Sequence, residues 1–364
     1  MNTAMNFTFL THAVPRFNGR QVAVIGAGPS GLTVTGYLAS LGYKVEVYDK
    51  LPNPGGMMRF SIPADVIPSD HIQRGINILE RKFGVVFHLR TKVCSKTMLH
   101  EEEGDHFIYD MVVLSDLMEE YDAVVLCTGS WRSKKLNIPG ENLPGVYASL
   151  EFLFPIRARQ YASTNITLAN VKDKVVAITG AGHSAVDVAS SALFLGAAKV
   201  IMVYRRSLAE APCGLYEVNR LQDLGVEWME RHAIREVLGE EHVEALLLEN
   251  LDNKTTQKLP VDILISAIGE EPTPPFQHEL GLDNVRKGDV RWLHMTNLEN
   301  VFVAGDVLTG PTKIGKAIYS ALRTAKSLHH WLELKAAHRE SEYNYDEDKM
   351  PLDKNAPASP QNIG

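Results

Sequence analysis

The feature that most constrains this chain is a repeat. An apolar strand, a glycine-rich turn, a helix and a second strand are written twice, 154 residues apart from Gly26 to Gly180. The first copy reads QVAVIGAGPSGLTVTGYLASLGYKVEVYDK and the second DKVVAITGAGHSAVDVASSALFLGAAKVIMVYRRS. Residues 22–25 and 175–178 are the apolar runs that enter the turns, and each helix stops at a glycine, Gly42 or Gly196. After each copy comes charged, β-patterned sequence, then another apolar strand ending in glycine, at 123–129 and 263–269. Strand and helix alternating at this spacing form a parallel sheet, so two copies predict two sheets and an α/β class.

The turns are suited to diphosphate. A helix N-terminus offers unpaired N–H groups and a partial positive charge. Gly26 permits the tight turn, Gly28 lets the backbone approach the phosphates, and Gly31 lets the helix pack on the strand, with Pro29 and Ser30 in the same loop. Asp49 stands 23 residues after Gly26 at the end of the second strand, where a carboxylate accepts ribose hydroxyls. A GxGxxG alone is a weak signal; strand, helix, strand and terminal acid around it make a ligand-free turn or a merely solvated acid the poorer reading. The second loop carries Gly180, Gly182, His183, Ser184 and Ala185, and alanine at the last position still allows close packing. In place of the acid it has Arg205, 25 residues after Gly180, and Arg206. Arginine suits a 2′-phosphate, which predicts NADP over NAD, with NAD the alternative if both side chains merely face solvent. His183 reads as a neighbour of the pyrophosphate rather than a catalytic base, because it sits in a phosphate loop.

A third piece lies near the C-terminus: ENVFVAGDVLTGPTKIGKAIYSALRTAKSLHHWL. Residues 301–304 form a strand, Gly305 and Asp306 follow, and a helix is predicted over 312–331. Asp306 can bond the ribityl hydroxyls of a flavin. The helix N-terminus near Lys313 and Ile314 can face the flavin N1–C2=O edge, which gathers negative charge on reduction.

Together these segments resemble the pyridine-nucleotide-disulfide-reductase superfamily, and within it the small (β) subunit of glutamate synthase. The resemblance is carried by VIGAGPSGL (24–32), PGGMMRFSIP (54–63), LCTGS (126–130), the loop 180–187, VYRRSLAEAP (203–212), SAIG (266–269) and VFVAGDVLTGPTKIGKAI (301–318). It covers about residues 18–335. It implies a glutathione-reductase-type flavoprotein of two Rossmann-like dinucleotide-binding domains, with the NAD(P) domain inserted into the FAD domain. The FAD domain would be 18–152 plus 293–335, the NAD(P)H domain 153–292, and 336–364 a polar tail unable to pack alone. It also implies that Gly56, Met57, Arg59, Thr128, Gly129 and Gly305 contact FAD, with Ala267 and Gly269 at the cofactor sites. NADPH would give hydride to flavin N5, a step that needs stacking and no protein acid or base, so no catalytic side chain is expected. Three departures stand out. His183 occupies a position where the family usually has Asn. About 20 residues, without cysteine, precede the first strand, so the iron–sulfur domain of glutamate synthase small subunits is not expected here. Residues 317–320 read Ala-Ile-Tyr-Ser and lack an acid-and-glycine pair, which predicts that Tyr319 bears on access to the flavin.

Composition narrows what remains. A net charge of −7 gives no reason to expect nucleic acid or an anionic membrane as partner. No apolar run reaches a membrane span, and the N-terminus does not read as a secretory signal. Cys94, Cys127 and Cys213 make no CxxC, zinc or iron–sulfur spacing, which predicts no metal site and inert thiols in a cytoplasmic protein. Without an internal dithiol, electrons must pass to a redox partner protein bearing an iron–sulfur cluster or flavin. The alternatives are a stand-alone NAD(P)H oxidoreductase acting on a quinone, oxygen or small molecule, or a non-enzymatic dinucleotide-binding scaffold. The FxGxxxHxxx[YF]P signature of flavin monooxygenases is not present. The sequence leaves the oligomeric state open.

Overall fold

Alternate residues of the first strand serve two different cores. In β1 (Gln21–Ile25), Val22 and Val24 pack with the helix that follows, α1 (Pro29–Ser40), while Ala23 and Ile25 face a separate apolar layer. These are features of a computed structural model that describes residues 5–8, 13–95, 102–161, 166–272, 290–292, 295–296 and 298–340. A strand covered on both faces reads as a continuous apolar run, which is why residues 22–25 do. Nearly every residue of α1 is buried. Pro29 opens it, at a position where the missing N–H costs nothing.

The chain then passes through β2 (Lys44–Asp49), the short α2 (Met57–Phe60), α3 (Ser69–Phe83), β3 (Val86–Leu89), β4 (Thr91–Cys94), β5 (Asp110–Val113), α4 (Leu114–Glu120) and β6 (Ala123–Leu126). The region expected to hold only strands and turns thus contains α3, whose Ile72, Ile76 and Leu79 repeat at helical spacing and are buried. A ribbon strand β7 (Arg132–Ser133) leads to the second unit: β8 (Val146–Ala148), α5 (Ser149–Ala158), β9 (Val175–Thr179), α6 (His183–Phe194), β10 (Lys199–Tyr204), α7 (Leu215–Asp223) and β11 (Glu227–Glu230). An antiparallel group follows, β12 (His232–Leu238), β13 (Ala245–Asn250) and β14 (Thr256–Pro260), then β15 (Ile263–Ser266) and β16 (Glu270–Glu271). The final elements are β17 (Val290–Trp292), β18 (Met295–Thr296), β19 (Val301–Val303), α8 (Asp306–Thr309) and α9 (Ile314–Ala336).

The first sheet has the order β17-β18-β19-β6-β1-β2-β3, parallel from β19 to β3. A strand from the far C-terminal segment therefore completes the sheet begun by the first repeat. The second sheet, β11-β10-β9-β15-β8, is parallel throughout. Its edge strand β8 pairs Val146, Tyr147 and Ala148 with Leu264, Ile265 and Ser266. The second sheet thus recruits chain ahead of the boundary expected at 152/153, and the first recruits β17 ahead of 293. Three-residue edge strands have no periodicity to announce them. Both crossings between the units run through the antiparallel ribbon of β7 and β16.

Two further differences from expectation concern the ends. Helix α9 continues past Trp331 to Ala336 because Leu332 and Leu334 extend its buried face. The tail from 341 onward lies outside the described residues. At the other end, residues 5–8 lie as a strap across α1 and α3. Phe7 is buried in the first core, and Met5 N donates to His71 O at 3.1 Å. Gly36 makes room for the strap: a Cβ there would sit 1.7 Å from Phe7 O.

Candidate functional site

Both glycine-rich turns open on one cavity of about 2450 Å³. Small-ligand sites span about 300–1,000 Å³, so this one has room for two dinucleotides. From the first unit, Gly26, Gly28, Pro29, Ser30 and Asp49 line it, with Gly56, Met57, Thr128 and Gly129 beside them. From the second come Gly180, Gly182, His183 and Ser184, then Arg205, Arg206, Ala267 and Gly269. Asp306, Lys313 and Ile314 line it from the C-terminal segment.

The glycines divide their work alike in both turns. Gly26, at φ +102°, would place a Cβ 2.4 Å from Cys127 O, and Gly180, at φ +123°, one 2.3 Å from Ala267 O. Each is demanded by the neighbouring strand. Gly28 and Gly182 leave open space instead: the nearest atom to a Cβ on Gly28 is Gly56 Cα at 4.0 Å, and Gly182 has nothing within 4 Å. Bare backbone beside a helix N-terminus, facing a cavity, fits a diphosphate. The buried Thr128 Oγ1, which has no partner, is a free hydroxyl in the same wall.

Four expected residues stand behind the wall. Gly31 and the fully buried Ala185 seat their helices. Gly305 packs against Ser30, whose Oγ would lie 2.5 Å from a Cβ there. Arg59 is turned away: it donates to Ser69 O at 3.3 Å and Gln73 Oε1 at 2.9 Å. It holds the loop 61–69 rather than presenting its charge to the cavity. Burial and the neighbouring Arg157 push its pKa down. Arg157 itself was not anticipated. It lines the cavity and donates to Ile62 O at 2.8 Å and Ser69 Oγ at 3.1 Å, clamping the same loop from α5. Its only sequence signal is a lone cation in the apolar stretch FLFPIRA.

The acids are partly committed. Asp49 is buried, and its oxygens accept Ala27 N–H at 2.5 Å and Leu51 N–H at 2.8 Å. Burial pushes its pKa up against these two donors. Each oxygen keeps a lone pair for a ribose hydroxyl, but the first duty of Asp49 is to hold the turn. Asp306 lines the cavity and uses Oδ1 to accept Thr312 N–H at 3.1 Å and Thr312 Oγ1–H at 2.7 Å, while Oδ2 has no partner among the described residues. It opens its own short helix α8 rather than the long one. Burial raises its pKa as well. In the second unit, burial and the nearby Glu217 push Asp187 up to about 6. Burial and the Lys313 cation push the His183 pKa down. Lys313 thus stands within electrostatic reach of the second turn. Arg205 and Arg206 are exposed at the end of β10, with Glu210 within electrostatic reach of Arg206.

Tyr319 does not bear on the cavity. It is half-exposed beneath Arg323, and Ala317 and Ile318 line the wall instead. The three cysteines are buried and none forms a disulfide among the described residues, and burial pushes Cys127 up to about 12. Among the described residues no cluster of His, Cys, Asp or Glu could hold a metal ion, and no helix is long and apolar enough to cross a membrane.

Residues 20–321 match the family model described as pyridine nucleotide-disulphide oxidoreductase. The chain belongs to that family. An NAD(P)H-dependent flavoprotein oxidoreductase, with FAD and NADP as cofactors, is what this membership carries. The glutamate synthase [NADPH] small chain of Halomonas elongata is 27% identical, over 86% of this chain and 68% of its own length. The NADP(+)-dependent formate dehydrogenase subunit beta of Moorella thermoacetica is 30% identical, over 86% of this chain but only 44% of its own. The present chain therefore spans from under half to about two thirds of these relatives. Among solved structures, FprA from Mycobacterium tuberculosis in complex with NADPH superposes with a TM-score of 0.69 at 18% identity, covering 88% of this chain and 86% of that one. Thioredoxin reductase of T. acidophilum gives 0.61 at 18% identity, covering 85% and 98%. These two report the fold.

Proposed function

We propose that the first unit holds FAD as a resident cofactor, that the second admits NADPH, and that the electrons go to an iron–sulfur or flavin partner protein. The observation that carries this reading is the shared cavity: two bare glycine-rich turns, one from each repeat, open on one space together with Asp306 and the N-terminus of α9. Bound there, FAD would supply the hydride acceptor and pass electrons onward. The chain's own residues bind and orient. Gly28 and Gly182 present backbone N–H groups, Asp306 offers a free carboxylate oxygen, and Arg205 and Arg206 offer two cations to a 2′-phosphate. The N-terminal dipole of α9 favours negative charge at its end. A thiol relay has no support: Cys127 is buried, and burial pushes its thiol up to about 12. Two relatives are by name subunits of larger enzymes, which favours a protein partner over a small acceptor.

The test is anaerobic reduction followed by re-oxidation. NADPH should bleach the yellow protein, and an iron–sulfur protein should restore the colour faster than oxygen or a quinone does. Rapid turnover with oxygen or quinone alone would favour a stand-alone oxidoreductase. A colourless protein that binds no flavin would leave only the scaffold reading.

A further inference from the structure

One end of the cavity is built from buried charges. Lys50 follows Asp49 at the end of β2, and Lys92 lies in β4. Glu102 and Asp105 stand on the loop that continues into the turn Asp105–Phe107. None of the four side chains is more than 10% exposed. Lys50 Nζ lies 3.1 Å from Glu102 Oε2, 3.2 Å from Asp105 Oδ1 and 4.1 Å above the ring of Trp131. Lys92 Nζ lies 2.6 Å from Asp105 Oδ2, which also accepts Glu102 N–H at 2.9 Å. Trp131 Nε1 donates to Thr128 O at 2.7 Å. A continuous chain of contacts therefore runs from the turn at Thr128, through Trp131 and Lys50, to the loop 102–107. Lys50, Lys92, Glu102 and Trp131 all face the cavity.

The direct pairs set Lys50 and Lys92 against Glu102 and Asp105, with Glu103 and Asp49 also within electrostatic reach of Lys50, so each buried cation faces opposite charge. Apolar side chains would fill the same space at no electrostatic cost. What ion pairs add is direction: they define one closed position for the loop, and removing one partner leaves an uncompensated charge. Phe107 is fixed by apolar packing, whereas Glu102 and Asp105 are fastened by the lysines. We propose that the loop 102–107 is an ionic latch over the adenosine end of the first dinucleotide site, the end beside Asp49, and that FAD leaves only when the latch opens. This rests on the reading that the first unit holds FAD.

The test is the rate of FAD release on dilution, followed by recovery of free-flavin fluorescence, in the wild-type chain and in Lys92→Met and Glu102→Gln. Thermal melts of each flavin-free variant report folding. Both variants are expected to release FAD at least about tenfold faster, in line with the loss of one charged hydrogen bond. Lys335→Met, which removes the surface pair with Glu299 at 2.7 Å, should release at the wild-type rate. If Lys92→Met does not fold, Glu102→Gln carries the test alone, since it keeps the shape of the side chain and the Lys92–Asp105 pair. Release within twofold of wild type from a folded variant overturns the latch, as does equal acceleration by Lys335→Met. A wild-type chain that binds no FAD overturns the underlying reading, and the latch with it.

Discussion

Arg205 and Arg206 set two exposed positive charges at the cavity, Arg206 within electrostatic reach of Glu210 and neither in a direct ion pair among the described residues. A charged hydrogen bond contributes about 1.5–3 kcal/mol. Arg205→Ala is therefore expected to raise the KM for NADPH about tenfold or more and to leave that for NADH within about twofold. Equal losses in flavin-reduction kinetics would remove its 2′-phosphate role. Asp306→Ala is expected to lower flavin content after dialysis; full retention would show that its free oxygen holds nothing. Asp187 gives a pH signature. Its folded pKa of about 6 lies above the ordinary carboxylate value, so the folded state holds a proton that the unfolded state has lost. Its contribution to stability is present at low pH and falls as pH rises from about 4 to about 6. Asp187→Asn should flatten that fall and raise the Tm at pH 7.5 by about 2 °C; an unchanged Tm–pH profile would refute the shift. At this scale the glycines were legible because each answers a local demand, a turn or a close approach. Arg59 and Arg157 were not, because what decides their direction is a loop that approaches from elsewhere in the fold.

Elements carried by a motif were readable, and elements defined by their neighbours were not. The two strand–turn–helix units have their own periodicity and punctuation. The strap 5–8 has neither: four residues acquire a place only because α1 presents Gly36 to the carbonyl of Phe7. Strand β8 exists because β15 offers it an edge, and α3 was hidden by its many charges although its apolar positions repeat at helical spacing. The strap makes a definite prediction. A Cβ at Gly36 cannot coexist with it, so Gly36→Ala should either expel the strap or shift α1. The expected cost is about 1–3 kcal/mol in chemical denaturation, similar to deleting residues 1–8. An alanine variant as stable as the wild type would mean that the strap does not dock as described.

For the whole molecule, the joint between the units is helix α5. It follows the edge strand of the second sheet, yet its Leu150, Phe154 and Ala158 pack with Leu51, Phe60 and Phe107 of the first unit. Phe154 is fully buried, with ring centroids at 6.0 Å from Phe60, 6.4 Å from Phe107 and 5.8 Å from Trp131. Phe154→Ala is expected to cost about 3–5 kcal/mol, a large share of the total for any domain. Because α5 belongs to both units, denaturant unfolding followed by flavin fluorescence and by far-UV circular dichroism should shift together; a shift in one signal alone would show that the units are not joined there. The strand order of the first sheet has a consequence of another kind. Its β19, and Asp306 just after it, are translated only once the whole second unit has left the ribosome. On the proposed reading, a nascent or prematurely terminated chain would complete the second unit, which admits NADPH, but not the first, which holds FAD. Yellow colour in a preparation would then report that synthesis ran past residue 306, and fragments ending earlier are expected to stay colourless however much FAD the cell supplies.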